Sequence, residues 1–196
     1  MYQKLPNLVI GFHGCKKDIW ESVLHDGKLI KDSVNDYDWL GHGQYYWENN
    51  FDRALSWAKE KKYKDPSVIG AIIDLGRCLN LTDEKNIFEL KNAFSLLVAD
   101  FKASNSNLPQ NINIKGNSDV LIRSLDCAVI QYLHKINNNA MLGSYDSIRG
   151  VFIEGEEIYP TSGIKTKTHI QICVVNPNCV RGYFDPRKPS TSWPIP

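Results

Sequence analysis

The chain has 196 residues, 42% hydrophobic and 23% charged, with a formal net charge of +1. That length suits one domain with its own core. The near-neutral balance excludes a chain that is polycationic as a whole, while leaving room for a local basic patch. No apolar run approaches the roughly 18 residues of a membrane span. The opening stretch MYQKLPNLVIGFHG lacks the basic-then-apolar build of a secretory leader. Five cysteines, at 15, 78, 127, 173 and 179, form no C-x-x-C pair. Reduced thiols in a cytoplasm are therefore expected, rather than a disulfide framework or a cysteine-rich zinc site.

Leu8 to Phe12 is an apolar run ending in His-Gly, as a strand leading into a functional loop would be. Asp18 to Asp26 predicts a helix, with Ile19/Val23 and Trp20/Leu24 four apart and Gly27 just beyond its end. The stretch 35–43 (NDYDWLGHG) reads as a loop, and Gln44 to Trp47 as a short strand. Asn50 is placed to cap a helix running to Glu60, with Phe51, Ala54, Leu55 and Ala58 on one face. Val68 to Leu75 (VIGAIIDL) is β-branched and predicts a strand.

Thr82 is placed to cap a long helix carrying Ile87, Phe88, Phe94, Leu97, Val98 and Phe101. The polar segment 103–118 reads as an exposed loop, and Asp119 to Ile136 as a further helix. Gly150 to Ile153 predicts a strand, 154–168 a charged loop, and His169 to Val175 (HIQICVV) a last strand stopped by Asn-Pro. Strands and helices follow no regular βαβ rhythm, and neither a phosphate-binding loop nor a G-x-G-x-x-G fingerprint occurs. The expected class is α+β.

Three segments stand out together: Gly11-Phe12-His13-Gly14, then Gly43-Gln44-Tyr45-Tyr46-Trp47 with the helix after it, then Gln171-Ile172-Cys173-Val174-Val175-Asn176-Pro177. In this order they resemble the ADP-ribosyltransferase superfamily, in its diphtheria-toxin and poly-ADP-ribose-polymerase branch. There a strand ends in His-Gly, a G-x-G-x-Y-[FY] segment leads into a helix, and a late strand begins with a catalytic Glu. The resemblance implies a single domain over residues 1–196 with a split two-sheet core, surrounding helices and a helical insertion at about 82–136. It implies NAD as co-substrate, held in the cleft of the split sheet without a metal.

On that resemblance His13 hydrogen-bonds a ribose hydroxyl, the Gly14 backbone clamps the nicotinamide carboxamide, and Tyr45 stacks on the nicotinamide ring. Gly43 belongs to the same binding segment, and Trp57 is the aromatic that closes the sandwich. The reaction would pass through an oxocarbenium-like transition state at the ribose. The family's Glu stabilises that charge. Here Gln171 stands in its place: it can accept a hydrogen bond from the ribose but carries no charge. Chain elongation is therefore not expected, whereas transfer of one ADP-ribose is. His169, two residues earlier, shares a strand face with Gln171 and can orient the acceptor or act as its base. Glu154, Glu156 and Glu157 lie where the family carries its acceptor-recognition loop.

The implied function is a mono-ADP-ribosyltransferase acting on a macromolecular acceptor, protein or nucleic acid, RNA included. Small free-standing members are often toxins of toxin–antitoxin or phage-defence systems, which implies an antitoxin protein as partner. A catalytically inactive NAD or ADP-ribose sensor, an NAD glycohydrolase and an RNA 2′-phosphotransferase are the alternatives. The last wants a set of basic residues around a phosphate, which the sequence does not offer. Several residues also have plain readings. Alternation puts Tyr46 on the opposite face from Tyr45 and Trp47, so it is expected in the core. His42 reads as a loop residue or a phosphate contact, and Cys15 as structural. The run Lys59 to Lys64 reads as a solvated helix end or a small basic patch. Asp126 and Arg149, if buried, are expected simply to pair. A metal held by His13, Cys15, His42 and His169 is disfavoured, because their spacing forms no compact ligand set.

Overall fold

The computed structural model describes residues 8–113 and 120–193. The first strand, β1, runs further than its apolar stretch, over Val9–Lys16 and through the His-Gly pair. Helix α1 follows over Lys17–Leu24, and strand β2 spans Gln44–Glu48. Helix α2 covers Phe51–Glu60, with the Asn50 side chain accepting from the Arg53 amide at 3.0 Å as its N-cap. Strand β3 spans Pro66–Ile73. A short β4 at Cys78–Asn80, unannounced by any periodic pattern, precedes the long helix α3 over Glu84–Ala103. Asp83, not Thr82, caps α3: its carboxylate accepts from the Lys85 amide at 2.8 Å, while the Thr82 hydroxyl donates to Asn80.

The segment expected to be a loop contributes a two-residue strand β5 at Asn111–Ile112, paired with β6 at Ile122–Arg123. Helix α4 occupies Ser124–Asn139; the expected start at Asp119 lies outside the described residues, as does the last part of the 103–118 segment. Strands β7 (Ser147–Phe152), β8 (His169–Val174) and β9 (Val180–Phe184) follow, β9 being unpredicted, as are β4, β5 and β6, the last of which falls inside the stretch expected as helix.

Seven strands form one mixed sheet in the order β4-β7-β8-β2-β1-β3-β9. Only β4 and β7 run parallel; the other neighbours are antiparallel. The α+β class is thus observed. On one face α1 packs over Tyr46, Ile69, Ala71, Ile73 and Ile172. On the other, α3 and α4 cover the β7–β8 end through Leu97, Ile130, Leu133 and Ile148. Helix α2 sits on the same side over β1 and β3, with Ala54 packed against Trp47 and Val68. Tyr46 is fully buried, its hydroxyl donating to Gln44 Oε1 at 2.9 Å, as the alternation required.

The joint between the two halves of this sheet is thin. β1 pairs with β3 over eight residues, Val9 to Lys16, but with β2 only at Gly11↔Glu48 and Phe12↔Trp47. Beyond Phe12 the strands part, and the sheet forks.

Candidate active site

The fork has a local cause. The Asn49 amide donates to the Ile10 carbonyl at 2.8 Å, so the polar backbone groups of Ile10, and by the two-residue period those of Phe12 and Gly14, point toward β2. Continued in this register, the next bonded pair would be Gly14 with Tyr45. Instead the His13 ring reaches into the gap, and its Nδ1 donates to the Tyr45 carbonyl at 2.8 Å. A carbonyl can only accept, so Nδ1 carries the proton and the neutral ring leaves Nε2 as an acceptor. Burial lowers the His13 pKa below its ordinary 6.5, against the raising effect of the bond to Tyr45. The ring is therefore neutral at pH 7. By the same period the N–H and C=O of buried Gly14 face the β2 side, and β2 does not pair with it.

Gly14 also answers a packing demand. A Cβ there would stand 2.2 Å from the Ala54 carbonyl oxygen and 3.4 Å from Trp57 Cε3. The helix backbone rests directly on the strand, and Trp57 is brought beside Gly14. Its ring lies 5.5 Å from Trp47, with the Lys61 ammonium 5.2 Å from its centroid.

Tyr45 is held by its hydroxyl, which donates to the Gly41 carbonyl at 2.7 Å and accepts from the Leu40 amide at 2.8 Å. Its half-buried ring is thereby fixed relative to the loop before β2. Gln171 pairs with Trp47 across β2 and with Gly150 across β7. Paired positions share a face, so Tyr45, Trp47, Gln171 and His169 all lie on the α2 side of the sheet. The Gly43 N–H and C=O are both bonded to Ser33, at 3.0 and 2.8 Å, and a Cβ there would meet the Val174 carbonyl at 2.4 Å. Its glycine is explained by packing against β8.

The structure thus brings His13, Gly14, Tyr45 and Trp57 to the fork, with Gln171 on the Tyr45 face. His42 stands elsewhere. It lines a groove of about 510 Å³ with Asp32, Gln131, His134, Lys135 and Asn138.

One cluster is only half marked in the sequence, which singles out His169 and Glu154 but neither Arg53 nor Lys167. Arg53, on the inner side of α2, lies 3.8 Å from Glu154 Oε2 and 3.7 Å from Glu60 Oε1, with its guanidinium 5.8 Å from the Trp47 ring. The Lys167 ammonium reaches Glu60 at 3.0 Å. His169 is buried; its Nδ1 donates to the Lys167 carbonyl at 2.6 Å and stands 3.6 Å from Glu154 Oε2. Together these groups tie the 154–168 loop to α2. Desolvation lowers the His169 pKa, the Lys167 bond opposing and the Arg53 charge adding to the effect. His169 Nε2, Trp47 Nε1 and Arg53 Nε are buried without a hydrogen-bond partner. In the sequence Arg53 shows only as an arginine on an amphipathic helix, and no local signal joins it to Glu154 and His169. Asp126 and Arg149 do not pair with each other: Arg149 pairs with Glu48, its Nη2 2.8 Å from Oε1, and Asp126 with Arg123 at 3.7 Å.

An uncharacterized protein of Methanocaldococcus jannaschii is 25% identical over 193 residues, covering 87% of this chain and 83% of its own. No family model matches the chain, and no solved structure matches it.

Proposed function

We propose that the chain is a mono-ADP-ribosyltransferase that binds NAD in the fork between β1 and β2 and transfers ADP-ribose to a macromolecular acceptor. The observation that carries this reading is the fork itself. His13 takes the Tyr45 carbonyl that Gly14 would otherwise bind, and so leaves the Gly14 backbone facing the β2 side, where β2 does not pair with it. A donor and an acceptor on one residue match the two ends of a carboxamide. His13 Nε2 accepts from a ribose hydroxyl, and the fixed Tyr45 ring offers a face to the nicotinamide cation. Trp57 closes the other side. The split-sheet core of the resembled family fits this division of the sheet. A role as a toxin held in check by a partner protein rests on that resemblance.

Gln171 supports a second reading, an inactive domain that holds NAD as a sensor. Nothing charged replaces the family's glutamate at that strand position, and the charge of Glu154 is matched by Arg53. Incubation with labelled NAD, cell extract, and separate RNA, DNA and protein fractions tests the first reading. Label in one fraction with release of nicotinamide supports transfer. Nicotinamide release without label supports a glycohydrolase. No release and no label removes the enzyme reading and leaves binding.

A further inference from the structure

The open end of the fork is bordered by a lysine-rich surface that the site itself does not use. β1 ends at Lys16, and Lys17 follows it. Their neighbours are the end of α2 and the turn after it, with Lys59, Lys61, Lys62 and Lys64. Lys16 pairs with Pro66, and the Lys17 amide donates to the Asp65 carbonyl at 3.0 Å. All six lysines but Lys17 are exposed. Against them stand Asp18, Glu60 and Asp65, a local excess of +3 in a chain whose total is +1. Glu60 is already engaged by Lys167 and Arg53, so it does little to neutralise the surface.

Aromatic rings interleave with this charge. Trp57 and Tyr63 meet edge to face at 6.3 Å, and both are half-exposed. The Lys61 ammonium lies 5.2 Å from the Trp57 centroid, and the Lys17 ammonium 3.1 Å from that of Trp20. Cations capping partly open rings can be exchanged for bases, which stack on the same faces.

We propose that this surface docks a single-stranded polynucleotide, with the lysines on its phosphates and the Tyr63 ring under an unstacked base. Duplex bases are stacked on one another and offer no faces to this ring, so the single strand is the matching partner. Trp57 joins the surface to the fork, which places the strand beside the proposed NAD site as the acceptor. That last step rests on the transferase reading; the docking surface does not.

Fluorescence anisotropy of a labelled 15-nucleotide RNA and its DNA counterpart, in the absence of NAD, tests the surface. Four phosphate contacts predict a loss of affinity of about fiftyfold between 50 and 200 mM salt. The triple variant Lys61→Glu/Lys62→Glu/Lys64→Glu lies on exposed positions and is expected to lose at least tenfold in affinity with an unchanged circular-dichroism spectrum. Tyr63→Ala is expected to weaken binding without changing the salt slope. Absence of binding at 50 mM salt, equal binding by the triple variant, or tighter binding of a duplex overturns the proposal. So does binding only of anionic vesicles or acidic peptides. Nicotinamide release, measured separately, fails or succeeds independently of these results.

Discussion

At the scale of single residues, His13 does two things. It ends the β1–β2 ladder by taking the Tyr45 carbonyl, and it keeps an acceptor nitrogen for a ligand. His13→Ala therefore leaves a carbonyl without its partner and costs about 1–3 kcal/mol of stability in a denaturant titration. It also weakens NAD binding at least tenfold, about 1.4 kcal/mol. Tyr45→Phe keeps the ring but strands the Leu40 amide, with a similar cost to stability and a smaller one to NAD binding. At position 171, a carboxylate would oppose the oxocarbenium charge directly. Gln171→Glu is expected to raise the rate of nicotinamide release, and Gln171→Ala to lower it; equal background rates in both variants would favour the sensor reading. Tyr46 was legible from strand alternation alone, because a two-residue period assigns it to the face opposite Tyr45. Arg53, and its pairing with Glu154, were not legible: nothing local distinguishes a buried ion pair whose members lie far apart in sequence.

At the scale of elements, α2 depends on two small residues. Ala54 and Ala58 are fully buried, and the Ala54 carbonyl occupies the space of the absent Gly14 side chain. Gly14→Ala sets a methyl against a backbone oxygen, which cannot rotate away. It is expected to cost at least about 1–3 kcal/mol, read as a lower thermal midpoint. Helix α2 and strands β3 and β8 were readable because each carries a cap, a β-branched run or a clear stop. Strand β4 has three residues and β5 two, too short to show a period, and β9 (VRGYF) carries a glycine at its centre. These strands exist because a partner edge is available, which a local reading does not see.

At the scale of the whole molecule, the strand order is set by pairings between distant segments, so neither it nor the short β1–β2 pairing was legible in any local pattern. Once formed, the fold holds three histidines, 13, 134 and 169, with pKa values lowered mainly by burial. Each binds its proton less readily folded than unfolded. Their neutral forms stabilise the fold fully above the unfolded value of 6.5, and that contribution is lost as pH falls through the lower folded values. Thermal denaturation should therefore show a midpoint that falls steadily below pH 6.5, and replacing His134 with Gln should flatten that fall. No helix among the described residues is long and apolar enough to cross a membrane.

The transferase and sensor readings alike require NAD to occupy the gap between Gly14 and Tyr45. Calorimetric titration of NAD into the wild-type chain and into His13→Ala addresses that requirement most directly. Saturable one-to-one binding by the wild type is expected, competed by nicotinamide and weakened at least tenfold by the substitution. Absence of binding by the wild type, or equal affinity in the two proteins, would contradict both readings.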